Sequence, residues 1–128
     1  MASAWAWPYL QQTYLETAAA VLVAAERRGA SELVATQGHV LRVDDLVATL
    51  AVEAAIHHLD LVAHLDLPGP PEPALDLARI TLVGLLQSPP PKKWDASTFV
   101  RKTTGRAPLT EDERGMLGEA AARLPLIA

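Results

Sequence analysis

The chain has 128 residues, half of them apolar, and a formal net charge of −4 at neutral pH. That length and that apolar content suit one domain with a real core. A nucleic-acid-binding protein needs a basic face, so the acidic balance disfavours that class of partner. Cysteine is absent, which excludes disulfides and thiolate metal ligands. Any bound metal would have to be held by His, Asp or Glu.

Targeting signals are missing from the sequence. The N-terminal segment lacks the basic start and continuous apolar stretch of a secretory signal. The longest apolar run, from Ala18 to Ala25, is too short to cross a bilayer. We therefore expect a cytoplasmic protein with no membrane partner.

The first half of the chain predicts one helix and a short extended piece. Residues Tyr9 to Arg28 are rich in Ala and Leu and contain no Gly or Pro, so they predict a helix that Gly29 ends. Leu33 to Thr36 can form a short extended piece, and Gln37-Gly38 is a turn signal.

The middle of the chain predicts two further helices. Val43 to Leu65 should form a helix that ends before a proline cluster at residues 68–71. Pro73 should open the next helix, which is expected at about Ala74 to Leu86.

The C-terminal part predicts an arm and a last short helix. Residues 94–104 read as a strand or an irregular arm. Thr110 and Glu113 fit a capping box, in which a hydroxyl is followed three residues later by Glu, so a helix is expected from Glu111 to Arg123. The whole pattern predicts an all-α helical bundle in one domain over residues 1–128, with a short C-terminal extended arm and a final short helix.

The helix predicted at residues 43–65 carries the candidate chemistry. It is apolar nearly all round, so it should be central and buried. At about 100° per residue, however, Glu53, His57, Asp60 and His64 fall on one stripe. A buried charge is costly unless it is paired or bound to a metal.

Two interpretations of this stripe remain open. Glu53 and His57 are one turn apart and can share one metal ion, with Asp60 orienting an imidazole as an outer partner. His64 lies about 16 Å along the axis from Glu53, so it would be a further outer partner or a residue favoured at the helix end. The alternative is a buried polar network of Glu53, His57 and Asp60 that a neighbouring helix satisfies.

The same helix resembles a known family. The run from Glu53 to Leu61 resembles the Glu-x-x-x-His-x-x-Asp-Leu signature of mycothiol-dependent maleylpyruvate isomerase-like proteins, which belong to the DinB-like group of helical metal-binding bundles. Residues 104–109, Thr-Gly-Arg-Ala-Pro-Leu, resemble a Thr-Gly-Arg-x-Pro-Leu segment of actinobacterial members. The resemblance covers Gly38 to the C-terminus, and the Ala-, Leu- and Pro-rich composition fits an actinobacterial source.

The resemblance implies a divalent metal, usually zinc, and mycothiol as a thiol cofactor. Glu53 and His57 match the two metal ligands of this helix. The family's third ligand is a His on an earlier helix, and no His precedes His39 here. The chain resembles the latter part of a family member without its opening helices. The site would then be incomplete, be completed by another chain, or use His39 or His64.

Partner expectations follow from the missing helices. Uncovered apolar faces usually mark an interface, so we expect a homodimer or a partner chain that completes the bundle. Trp5 and Trp7 are candidate interface anchors. Arg106 is a candidate contact for a carboxylate or another anion, although an Arg here more often caps a helix or pairs with Asp112.

The sequence therefore supports two candidate functions. The first is a divalent-metal-binding protein resembling mycothiol-dependent isomerases or transferases, whether or not its catalytic site is complete. The second is a non-catalytic helical interaction or dimerisation module that has lost the metal chemistry.

Overall fold

The computed structural model describes residues 6–127, so Trp5 lies outside the described residues. The described part is mainly helical, which confirms the helical character of the predicted fold class, but it also contains a small two-stranded sheet that the all-α prediction lacked. The chain divides into two compact units, residues 1–47 and residues 48–128. The single domain expected from the sequence stays a prediction.

The first unit contains a long helix and a β-hairpin. Helix α1 spans Ala6–Arg27, close to the predicted bounds. Strands β1 (Leu33–Thr36) and β2 (His39–Arg42) pair antiparallel, with Thr36 opposite His39. The turn between them has positive φ at both Gln37 (40°) and Gly38 (84°), which is the conformation that tight two-residue hairpin turns favour. The extended piece and the turn are confirmed, whereas the second strand was not foreseen.

Helix α1 differs from an ordinary surface helix because none of its residues is buried. Several large apolar side chains along it are more than half exposed: Trp7, Tyr9, Leu10, Tyr14, Leu15, Val21 and Leu22.

Helix α2 spans Val43–Val62, three residues shorter than predicted. Beyond it, the N–H of Ala63 donates to the carbonyl of Asp60, and the N–H of Leu65 donates to that of Val62. These bonds reach back three residues rather than four, so the backbone has already tightened out of the α-helical pattern. His64 therefore lies in a turn after the helix.

The described part of the second unit contains the greater part of α2, three further α-helices and a 3₁₀ helix. Helix α3 spans Glu72–Leu86 and carries Pro73 in its first turn, as predicted. It ends at Gln87, whose φ of 52° places it in the left-handed region. The core of this unit is a cluster of small and branched apolar side chains with one aromatic: Val52, Ala55, Ile56, Leu59, Ala78, Leu82, Leu86, Phe99, Val100, Leu117 and Ala120.

The prediction of an extended arm at residues 94–104 is wrong. Residues Ala96–Thr103 form helix α4. The Asp95 carboxylate accepts a hydrogen bond of 2.7 Å from the N–H of Thr98, which satisfies an otherwise unpaired donor of the first turn. Phe99, Val100 and Thr103 then share one buried face at helical spacing. Capping and burial therefore outweigh the local strand preference of Thr, Phe and Val.

The final helix is divided in two. Helix α5 spans Glu111–Leu117, and a 3₁₀ helix follows at Gly118–Arg123. The predicted capping box of Thr110 and Glu113 is confirmed, with both reciprocal hydrogen bonds present. The break falls at Gly118, whose φ of 56° and ψ of −129° are not helical.

Glu113 also ties α5 to α4. Its carboxylate accepts hydrogen bonds from the Lys102 ammonium and from the Trp94 indole N–H. Lys102 also lies over the Trp94 ring, 5.4 Å from its centroid. The Lys102 contact, assisted by the capping N–H of Thr110, lowers the pKa of Glu113 to about 2.

This pKa predicts acid sensitivity with a defined sign. Since the folded-state pKa lies below the ordinary value of 4.5, the stabilisation is complete above that value and is lost as the pH falls towards 2. In urea unfolding at stepped pH, Glu113→Gln should lower the midpoint near neutral pH and flatten its decline below pH 4.5.

Glu111→Gln is the matched control, because it removes a charge from the same helical turn without touching Lys102 or Trp94. It should keep the acid-side slope of the natural chain. An equal slope for Glu113→Gln and the natural chain would contradict the assignment.

Candidate functional site

The ionisable stripe of α2 lies beside the buried face of the helix, not within it. Val52, Ala55, Ile56 and Leu59 form the buried face. The Glu53, His57 and Asp60 side chains keep 60%, 69% and 45% of their surface exposed. The expectation of a central helix with a buried ionisable stripe is therefore wrong. The physical reason is that only one side of α2 faces the core, although Leu50 and Leu61 make other sides apolar as well.

Three of the four stripe residues form a continuous row. The Glu53 Oε2 and His57 Nε2 atoms are 3.9 Å apart, and the His57 Nδ1 and Asp60 Oδ2 atoms are 3.8 Å apart. Both distances exceed hydrogen-bonding range. The row is thus an exposed, aligned set of side chains that could ligate a metal. It is not the buried hydrogen-bonded network considered as the alternative.

Asp60 has a partner that the sequence did not reveal. Its two carboxylate oxygens accept hydrogen bonds from Arg106, 2.7 Å from Nε and 2.9 Å from Nη2. Arg106 also donates from Nη1 to the carbonyl of Thr104 at 3.2 Å. This fork-shaped pairing holds the pKa of Asp60 below its ordinary value. Arg106 therefore pairs with Asp60 rather than with Asp112.

The loop after α4 positions Arg106. The backbone N–H groups of Arg106 and Ala107 both donate to the carbonyl of Arg101, at 2.7 and 3.0 Å. Gly105 precedes them at a φ of 75°, and a Cβ there would meet the Pro125 Cβ at 3.3 Å. Glycine meets both constraints, so the Thr-Gly-Arg segment places the guanidinium against the α2 stripe.

A cavity of about 200 Å³ opens beside this pair. Glu53, His57 and Arg106 line it together with Thr81 of α3 and Ile127, and the other lining residues are Thr49, Val52 and Ile56. The structure thus brings three of the five predicted site residues to one cavity, and Asp60 is hydrogen-bonded to one of them, Arg106. His64 does not line it. Thr81 and Ile127 were missed, because nothing in their local sequence signals a shared cavity.

The donor set is short of a complete metal site. The described residues include no group of three or more His, Asp or Glu side chains able to hold a metal ion. Glu53 and His57 offer two donors, whereas a catalytic zinc takes three protein ligands and keeps an open position. Among the described residues of the second unit, His64 does not join the pair as a third ligand, and the alternative through His39, which lies in the first unit, stays a prediction.

Comparison with known proteins finds no matching family model, curated protein or solved structure. Across residues 6–127, no helix combines the length and apolar character needed to cross a membrane.

The pairing of Asp60 with Arg106 predicts a measurable coupling. Asp60→Asn and Arg106→Gln should each lower the free energy of unfolding by about 0.5–1 kcal/mol, because Asp60 is nearly half exposed and solvent screens the pair. A double-mutant cycle from urea unfolding should return a coupling energy of about 0.5–1 kcal/mol.

The matched cycle uses the more exposed pair Arg42 and Asp44, which is two residues apart in sequence. It should return a smaller value, since that contact is local and more open to solvent. Additive effects of the Asp60 and Arg106 substitutions would contradict the assignment.

Proposed function

We propose that the cavity edge of α2 binds a divalent metal ion, zinc or a similar ion, through Glu53 and His57. The observation that carries the proposal is the placement of these two donors one turn apart at the mouth of a shared cavity. Two ligands of a tetrahedral zinc lie roughly 3.3 Å apart. The present 3.9 Å between Glu53 Oε2 and His57 Nε2 needs only a small side-chain adjustment.

The further ligand would come from another chain. Two protein donors bind a metal weakly and do not complete a catalytic site, so no reaction step follows from this pair alone. The natural assembly would be a homodimer or a complex with a partner that presents one more His or carboxylate to the cavity. Such an assembly would fit the helical bundle of the DinB-like group.

The resemblance to mycothiol-dependent isomerases and transferases suggests the ligand class. A cavity of about 200 Å³ is smaller than the roughly 300–1,000 Å³ that encloses a drug-sized ligand. It suits a small carboxylic acid or the thiol end of a longer cofactor. Among the described contacts, three of the five N–H donors of Arg106 are engaged, which leaves donors for an incoming carboxylate. We place this chemistry in the cytoplasm.

A second candidate function has an observation of its own. Helix α1 buries none of its residues and exposes several large apolar side chains. A contiguous apolar face of this kind marks a protein–protein contact. The chain would then be a helical interaction module without metal chemistry.

Metal content decides the first candidate. Untagged protein is loaded with zinc and then dialysed. When another chain supplies the further ligand, the protein should retain about one ion per chain. Without that ligand, it should bind one ion per chain more weakly. Glu53→Ala combined with His57→Ala should abolish retention in elemental analysis, or weaken zinc binding in calorimetry by at least about tenfold.

His39→Ala is the matched control, because it removes one exposed imidazole that lies on β2 rather than on α2. It should leave zinc binding unchanged. His64→Ala tests the outer role expected from the sequence and should also have little effect. Equal zinc binding by the natural chain and by the double variant would remove the metal proposal and leave the interaction module.

A further inference from the structure

The exposed apolar residues of α1 fall into a heptad pattern. Together with Gln11 and the half-buried Ala18 and Ala25, they form a seam with spacings of four and three along one side of the helix: Trp7, Gln11, Tyr14, Ala18, Val21 and Ala25. Spacing of this kind produces the contact seam of a two-helix coiled coil. Leu15 and Leu22 flank the seam on one side, and Leu10 flanks it on the other.

The side-chain sizes along the seam select a direction of pairing. In the heptad frame, the d positions hold Trp7, Tyr14 and Val21, whereas the a positions hold Gln11, Ala18 and Ala25. A parallel pair stacks d on d and a on a. It would crowd two Trp7 rings together and leave empty space between two Ala25 methyl groups, and mismatches of both kinds cost stability.

An antiparallel pair resolves these mismatches. It sets each a position against a d position of the other copy. In one such register, the numbers of paired residues sum to 32, and Trp7 lies opposite Ala25. The same register places Tyr14 opposite Ala18 and Val21 opposite Gln11. The Trp7–Ala25 and Tyr14–Ala18 layers then each combine one large and one small side chain, and the Val21–Gln11 layer combines two of medium size, so no layer is crowded or empty.

A groove on α1 agrees with this register. Trp7, Leu10, Gln11 and Tyr14 line a groove of about 440 Å³. These positions, i, i+3, i+4 and i+7, form the four-residue hole that receives one side chain from a facing helix. The antiparallel register delivers Val21 of the second copy to this hole, whereas a parallel register would deliver the polar Gln11.

The available area meets the requirement of a stable dimer. Six side chains of the seam and its flanks are 52–71% exposed: Trp7, Leu10, Tyr14, Leu15, Val21 and Leu22. Side chains of this size offer on the order of 600 Å² from each copy. A symmetric pair would bury about 1,200 Å², which reaches the lower bound of specific interfaces.

From these observations we propose that the α1 helices of two copies of this chain pair antiparallel in a symmetric dimer. This inference rests on the second candidate function and supplies its partner. It is independent of zinc binding by Glu53 and His57. The twofold axis passes midway between the Tyr14 and Ala18 positions, so the contact is the same on both copies.

Sedimentation at micromolar concentration tests the surface. The natural chain should sediment as a dimer. Tyr14→Glu should raise the dimer dissociation constant on the order of a hundredfold, because the charge enters the seam twice.

Tyr9→Glu is the matched control. Tyr9 has nearly the same exposed fraction as Tyr14, 70% against 71%, but lies about 140° around the helix from it. It should leave the dimer intact. A natural chain that stays monomeric at about 100 µM, or equal effects of the two variants, would overturn the proposal.

Disulfide crosslinking tests the direction, and the absence of native cysteine keeps the readout clean. Gln11→Cys and Val21→Cys are prepared separately, one of them with an affinity tag. An oxidised mixture should yield the mixed disulfide, while each variant alone should not crosslink. In the antiparallel register, like positions lie about 15 Å apart, far beyond the reach of a disulfide.

Self-crosslinking of each variant would reveal a parallel pair. That result would overturn the antiparallel geometry and leave the interaction module standing. A monomer in sedimentation that still binds zinc through His57 would overturn the dimer and leave the metal proposal standing.

Discussion

The packing of one side of α2 is the constraint on which the candidate site depends. Val52, Ala55, Ile56 and Leu59 enter the core of the second unit. Since this spacing occupies one side of a helix, the neighbouring side, with Glu53 and His57, comes to the edge of the core rather than into it. The same packing brings α2 close enough to the loop after α4 for Asp60 to receive Arg106. Burial therefore creates a cavity with apolar walls and an ionisable rim.

That arrangement changes the interpretation of the ionisable stripe. A buried stripe would have to be neutralised by a metal or a network, but an exposed one is stable in water without either. The exposed stripe therefore needs no metal ion to offset a cost of burial. Asp60 is paired with Arg106, and it is Arg106 that lines the cavity. Glu53 and His57 keep the freedom to bind an ion.

Sequence reasoning located the helices well where capping and spacing agreed. Two local features could be predicted because each depends on neighbours in sequence: the capping box at Thr110 and Glu113, and the turn at Gln37-Gly38. The arm at residues 94–104 was misread because its Thr, Phe and Val favour strands locally. The Asp95 cap and the burial of Phe99 decide the outcome, and burial depends on distant residues. The Asp60–Arg106 pair joins positions 46 residues apart, so no local pattern could reveal it.

The most direct test of the central claim follows the four histidines individually by nitrogen NMR during a zinc titration. The imidazole nitrogen signals of His57 should shift at stoichiometric zinc, and Glu53→Ala should suppress the shift. His39, His58 and His64 should stay unchanged over that range. If the His57 signals stay in place while those of another histidine shift with zinc, or if the signals of all four shift alike, then Glu53 and His57 do not form the zinc site of this protein.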